Sequence, residues 1–438
     1  MPLKKIIKHT IGWKLINTVL VFLINLLMVR LLGVAQSGNF FYDITVLSFL
    51  VLIISWCLEA GITYYASKDN SSVVSMIIFV LPLLVIQGFI SWVAIGYIHL
   101  SVSSHLAVLF IVSNLTIIYF SAFFYAKKWF ISLNIIASSI SFVITLVLFY
   151  WWVVNPGTVF GHNNFVLAYI ASFAVQAVLV VSVILYSSKK NKGSFAAIVP
   201  VAKNVFAYST IAFISNVLFF MVIRIDYFFV QKYCSNIALG NYVQVSKFGQ
   251  LLILIPAVIG SIIFPYSAGS NSAMPVGKVQ QLCRVITLIY IPVTITIILT
   301  AGWILPWVFG QGFNLMYMAL LLYLPGFFSL SIITVLAAHL AAKKLLKANL
   351  LASAIALVVV VAGDILLIPV AGINAAAAVS SIAYILCAIY LLWFYKNKFN
   401  CSTADFFSIN KEEIANIFNH LKKIDYTINK ITGVENKE

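Results

Sequence analysis

The chain has 438 residues, 63% of them hydrophobic and only 9% charged, where soluble globular proteins carry about 25% charged residues. A mean hydropathy of +1.07 excludes a water-facing globular protein and points to a membrane chain. The formal net charge of +16 does not mark a nucleic-acid binder, because the basic residues lie between apolar runs, as in the cytoplasmic loops of membrane proteins.

At the N-terminus Lys4, Lys5, Lys8 and Lys14 flank an apolar run that continues to Leu32. That run is too long for the core of a cleavable signal, and no small-residue cleavage site follows it. A spanning helix needs about 20 mostly apolar residues. Read on that scale, the sequence predicts twelve segments, near 13–33, 40–65, 74–97, 106–126, 131–154, 164–186, 204–230, 241–266, 285–309, 316–341, 348–369 and 373–395. With the N-terminus in the cytoplasm, the inner links hold Lys68, Lys127, Lys128, Lys189, Lys190, Lys192, Lys203, Lys278, Arg284, Lys343, Lys344, Lys347, Lys396 and Lys398, whereas the outer loops contribute Lys232 alone. This alternation predicts cytoplasmic N- and C-termini in a bacterial inner-membrane, multi-pass protein.

Segment one ends in Arg30-Leu31-Leu32-Gly33 and turns through Gly38-Asn39-Phe40, while segment seven is followed by Gly240-Asn241-Tyr242. This short repeat suggests two halves. The expected organisation is a six-helix bundle over 1–186, a linker over 187–203, a second six-helix bundle over 204–396 and a cytoplasmic tail over 397–438. In the tail Ile414, Ile417, Phe418, Leu421 and Ile424 fall on one helical face, which predicts an amphipathic helix.

Ionisable groups inside spanning segments cost about 2.5–3.5 kcal/mol each, so each needs a reason. Four bases (Lys14, Arg30, Arg224, Lys247) stand against four acids (Asp43, Glu59, Asp226, Asp364). Lys14, Asn17, Thr18 and Asn25 share one face of segment one, a polar stripe that predicts a wet interior. Arg30 lies nearly opposite and either snorkels to headgroups or serves the cargo path. Glu59 is too deep to snorkel, and is either paired with a cation from another helix or protonatable. Asp43 reads as a helix-start residue. Arg224 and Asp226, two apart, cannot bridge along one helix and are expected to pair between helices. No His, Cys or carboxylate cluster has metal-ligand spacing, and no glycine-rich phosphate loop occurs. The sequence therefore carries no catalytic constellation, metal site or cofactor site.

The run Arg30-Leu31-Leu32-Gly33 with Gly38-Asn39-Phe40, then Arg224-Ile225-Asp226-Tyr227, Leu239-Gly240-Asn241-Tyr242 and Phe264-Pro265, resembles the helix-one and helix-seven to helix-eight motifs of polysaccharide flippases. The resemblance covers the chain from about Lys14 to Tyr395. It implies a Wzx-type flippase of the multidrug/oligosaccharidyl-lipid/polysaccharide (MOP) exporter superfamily, a non-enzyme with a MATE-like all-α fold. It further implies a cargo of polyprenyl-pyrophosphate-linked oligosaccharide, the O-antigen repeat unit of lipopolysaccharide, moved by alternating access. On this reading Arg224, Lys247, Lys14 and, more weakly, Arg30 attract the pyrophosphate, and Asn17 and Asn25 meet the sugars. Glu59, Asp226 or Asp364 carries a coupling ion or neutralises those bases. Partners are then membrane lipids, a polysaccharide polymerase and a chain-length regulator. The rival readings are a MATE-like drug or cation exporter, which shares the fold, and an O-antigen polymerase, which is expected to carry a large periplasmic loop that is missing here.

Overall fold

A computed structural model describes residues 3–68, 72–154, 162–188, 198–268, 275–343 and 345–408. The expected tail helix lies outside the described residues, as does most of the linker. Regular structure among the described residues is helical: α1 (Leu3–Ser55), α2 (Leu58–Lys68), α3 (Ser72–Ile95), α4 (Ser104–Ala126), α5 (Phe130–Val154), α6 (His162–Ser188), α7 (Ile198–Tyr233), α8 (Asn236–Ala268), α9 (Val276–Phe309), α10 (Met316–Ala342) and α11 (Leu346–Phe399).

Among the described residues ten of these helices are long and apolar enough to cross a membrane. Two are of double length. α1 leaves the helical region at Gly33 (φ 76°, ψ 173°) and α11 at Gly372 (φ 61°, ψ −142°). These are the junctions between expected segments one and two, and eleven and twelve, so the ten helices hold all twelve segments except the end of segment two, which forms α2. Each junction is a single glycine at positive φ, a conformation that only glycine reaches without steric cost. The gap left between expected segments one and two is helical after Gly33, whereas that between eleven and twelve is broken only at Gly372.

Segment two, expected to be continuous over 40–65, breaks between α1 and α2. Trp56 and Cys57 both have φ 50°. Neither is glycine, so the break is held from outside. Gln87 Nε2 donates to the Ile54 carbonyl (2.7 Å), and the Tyr119 hydroxyl donates to the Ser55 carbonyl (3.1 Å). Gln87 Nε2 also donates to the Tyr119 oxygen at 2.9 Å. A buried polar pair on α3 and α4 thus satisfies the backbone that the break exposes.

Packing divides the chain into two compact units: Met1–Leu251 with Thr300–Gly326 and Ser353–Ala383, and Leu252–Leu299 with Phe327–Ala352 and Tyr384–Glu438. These boundaries pass through α8, α9, α10 and α11. In the first unit α1 packs on α5, α4 on α6, and α2 on α4 and α7. The repeated glycines meet there: a Cβ added to Gly38 would lie 2.6 Å from the Gly240 nitrogen, and one added to Gly240 would lie 2.1 Å from the Val34 carbonyl oxygen. Small residues let α1 and α8 touch backbone to backbone, the usual means of helix association in lipid. In the second unit buried His339 contacts the Tyr395 hydroxyl through Nδ1 (2.7 Å), and Gln280 donates to the Ser402 carbonyl (3.3 Å). Large apolar side chains such as Val85, Phe89, Trp303 and Val370 are exposed, as suits a lipid-facing surface.

Candidate functional site

Within the first unit, the leg of α1 after Gly33 runs beside α7. Phe41, Thr45, Ser48 and Leu52 recur at helical spacing on α1, and Asn216, Phe220, Arg224 and Tyr227 do so on α7. With Lys247 and Gln250 of α8 they line a cavity of ≈ 510 Å³. Among the lining residues are two bases and no carboxylate.

Both bases donate hydrogen bonds to neutral groups. Arg224 Nη1 donates to the Tyr227 hydroxyl (2.6 Å) and to Ser246 Oγ (3.0 Å), and its guanidinium lies 5.0 Å from the Tyr227 ring centroid. Lys247 Nζ donates to Asn25 Oδ1 (2.7 Å) and sits 3.6 Å from the centre of the Phe41 ring. Asn25 and Phe41 lie on opposite sides of Gly33, so Lys247 ties both legs of α1 to α8. Two hydroxyls, an amide and ring faces orient these bases, and Asp226 lies within electrostatic reach of Arg224.

None of the acids is among the cavity-lining residues. Asp226 is 0% exposed and accepts from the Tyr242 hydroxyl, the Tyr227 amide (2.9 Å) and Ser380 Oγ (3.4 Å). Asp364, also 0% exposed, is within electrostatic reach of Asp226. Neither of its carboxyl oxygens has a hydrogen-bond partner among the described residues. Two buried carboxyls so placed require a proton or a cation. Glu59, in the first turn of α2, has one buried oxygen without a hydrogen-bond partner among the described residues. Asp43 is not a helix-start residue. It lies inside the second leg of α1 and accepts from the Ser101 amide (2.8 Å), the Ser101 hydroxyl and the Val102 amide (3.0 Å), tying down the loop before α4.

The other expected site residues are dispersed. Lys14 is exposed. Asn17 accepts from Ser141 Oγ of α5 at 2.9 Å. Arg30 donates through Nε to the Val308 carbonyl (2.8 Å) and through Nη2 to that of Trp307, capping the C-terminal end of α9. Lys14, Asn17 and Arg30 are not among the cavity-lining residues, and Asn25 reaches the cavity only through Lys247. Sequence reasoning missed Ser246 and Ser380, which carry no charge to attract attention. It also missed a row of paired rings between α1–α2 and α7: Tyr42 with Phe228, Phe49 with Phe220, Trp56 with Phe213, and Tyr64 with Tyr208. The near-heptad recurrence of Tyr42, Phe49, Trp56 and Tyr64 is a signal that was present in the sequence.

A second cavity, of ≈ 580 Å³, lies at the C-terminal ends of α2, α4 and α6, where Lys127 donates to Ser187 Oγ (2.9 Å) beside Trp129. Burial pushes the Lys127 amine below its ordinary value. Cations belong at helix C-termini, and Lys127 acts as a clasp between α4 and α6.

No protein-family model matches the chain, and no curated protein matches it in sequence. Solved structures do match. The lipid II flippase MurJ in an inward closed conformation superposes with a TM-score of 0.66 over 90% of this chain and 88% of that one, at 17% identity. An inward-facing multidrug resistance MATE family transporter of the MOP superfamily gives 0.63 over 87% and 94%, at 11% identity. A mutant of the Vibrio cholerae MATE transporter VcmN gives 0.58 over 92% and 98%, at 13% identity. The chain has the fold of these transporters. It is an all-α, multi-pass membrane fold, and the neighbours that share it are transporters and a flippase rather than enzymes.

Proposed function

We propose that this chain is a flippase that moves polyprenyl-pyrophosphate-linked oligosaccharide, an O-antigen repeat unit, across the bacterial inner membrane by alternating access. The observation that carries the reading is the cavity in which Arg224 and Lys247 stand among aromatic and neutral polar side chains with no carboxylate in the lining. A pyrophosphate cannot cross hydrocarbon bare, and bases in a low-dielectric cavity attract it strongly. The fold shared with a lipid II flippase agrees with a lipid-linked cargo. An exporter of organic cations, the second reading, would place acids in the cavity, and here the acids lie outside the lining. In a flippase, Asp226 and Asp364 are suited to hold a coupling proton or monovalent cation, and Glu59 is a further protonatable group beside the break in segment two. A polysaccharide polymerase and a chain-length regulator would act on the delivered unit.

The test is complementation. The gene is deleted in its native host, and surface polysaccharide and lipid-linked intermediates are compared after restoring the chain intact or as Arg224→Ala. Loss of polymer with accumulation of lipid-linked units, rescued by the intact chain and not by stably expressed Arg224→Ala, is the expected result. Normal polymer in a deletion strain with no redundant flippase would overturn the reading and favour the exporter.

A further inference from the structure

The break at Trp56–Cys57 is costly and is supported from neighbouring helices. Two consecutive non-glycine residues at φ 50° are a conformation that persists only where the surroundings impose it. The buried Gln87 and Tyr119 side chains do so by satisfying the carbonyls of Ile54 and Ser55. What the break positions is the Trp56 indole. One face of it stacks on Phe213 of α7 with centroids 4.1 Å apart and planes 12° from parallel, while Nε1 donates to Thr210 Oγ1 (3.2 Å). Trp56 is still 38% exposed, so the ring is fixed in orientation but not covered.

Its position relative to the cavity gives this platform a use. Phe213 lies on the α7 face that also carries Asn216, Phe220 and Arg224, three, seven and eleven residues further on. Just past the end of α1, Trp56 follows the cavity residue Leu52 by four residues. Along α7 the rise from Phe213 to Arg224 is about 16 Å, the length of a few hexose units. A cargo with phosphate at Arg224 and a sugar chain along this groove would bring a pyranose ring over the indole, with amide and hydroxyl groups beside it. Pyranose C–H faces pack on aromatic faces, and a pre-stacked indole loses little freedom in receiving one.

We infer that Trp56, backed by Phe213, is a sugar-stacking platform that grips the oligosaccharide of the cargo separately from the pyrophosphate site. This rests on the flippase reading above and adds to it a residue that senses the glycan rather than the lipid phosphate.

The test uses the purified full chain in nanodiscs and two probes: polyprenyl pyrophosphate without sugar, and lipid-linked units extracted from a host lacking this gene. Trp56→Ala and Phe213→Ala are expected to weaken binding of the sugar-bearing lipid about tenfold and to leave binding of the bare lipid unchanged, with Trp56→Phe retaining most of the affinity. Equal weakening of both probes, or no change in either, would overturn the platform while leaving the flippase reading intact. A folded wild-type chain that binds neither probe would overturn both. If Trp56→Ala does not fold, Phe213→Ala together with Trp56→Phe decides the matter, because the first removes the backing ring and the second keeps a face for the sugar.

Discussion

Gly240→Ala tests whether α1 and α8 meet backbone to backbone. The added Cβ would stand 2.1 Å from the Val34 carbonyl oxygen and 3.0 Å from its carbon. Ordinary C···O contacts begin near 3.3 Å, so α1 would have to retreat by about 1.2 Å. The obstacle is main chain inside a helix, not the end of a flexible side chain, and no rotamer change relieves it. Overpacking of this kind costs about 1–3 kcal/mol. Alanine also recovers up to about 1 kcal/mol that glycine loses in a helix, so a net destabilisation means that the contact outweighs propensity. Gly12→Ala is the control: it lies on α1, the helix that Gly240 meets, with nothing within 4 Å of its Cβ, and it is expected to be neutral or stabilising. The assay is thermal unfolding of detergent-solubilised protein followed by size-exclusion chromatography. Gly240→Ala should melt several degrees below the wild type and Gly12→Ala at or above it. A Gly240→Ala variant that melts no lower than Gly12→Ala would refute the close approach of α1 and α8.

Asp364→Asn removes a buried carboxyl whose two oxygens lack hydrogen-bond partners among the described residues. It is expected to fold at least as stably as the wild type while losing any dependence of transport on an ion gradient, measured in proteoliposomes with imposed gradients. Asp226→Asn, which disturbs bonds to Tyr242 and Ser380, should lose stability as well, by about 1–3 kcal/mol in thermal unfolding. Gln87→Leu leaves the Ile54 carbonyl without its donor and should cost a similar amount. A double-mutant cycle with Tyr119→Phe should give less than the sum of the two, because both act on one network. Arg30→Ala should lower stability through loss of the cap on α9 and leave lipid-pyrophosphate affinity unchanged, whereas Arg224→Ala should do the reverse.

Hydropathy and lysine placement carry the helix count, because a bilayer makes length and apolarity obligatory for every crossing. Even the junctions at Gly33 and Gly372 fall where the sequence places them. The break at Trp56 is different: no Gly or Pro marks it, and the groups that hold it, Gln87 and Tyr119, lie more than thirty residues away in sequence. Local reading does not reach such a partner. The repeat at Gly38-Asn39 and Gly240-Asn241 was legible as a pattern, whereas its meaning as a contact surface came only from the packed helices.

The sequence by itself determined an all-helical membrane chain and a set of deep charges that balance, four bases against four acids. Only the tertiary structure decided how those charges are sorted. It turned Arg30 to the end of α9, left Lys14 exposed, gathered Arg224 and Lys247 at one cavity and withdrew Asp226 and Asp364 from its lining. The reason is physical. Helical periodicity fixes which residues share a face, but the energy of a charge in a low dielectric depends on which other helix that face meets.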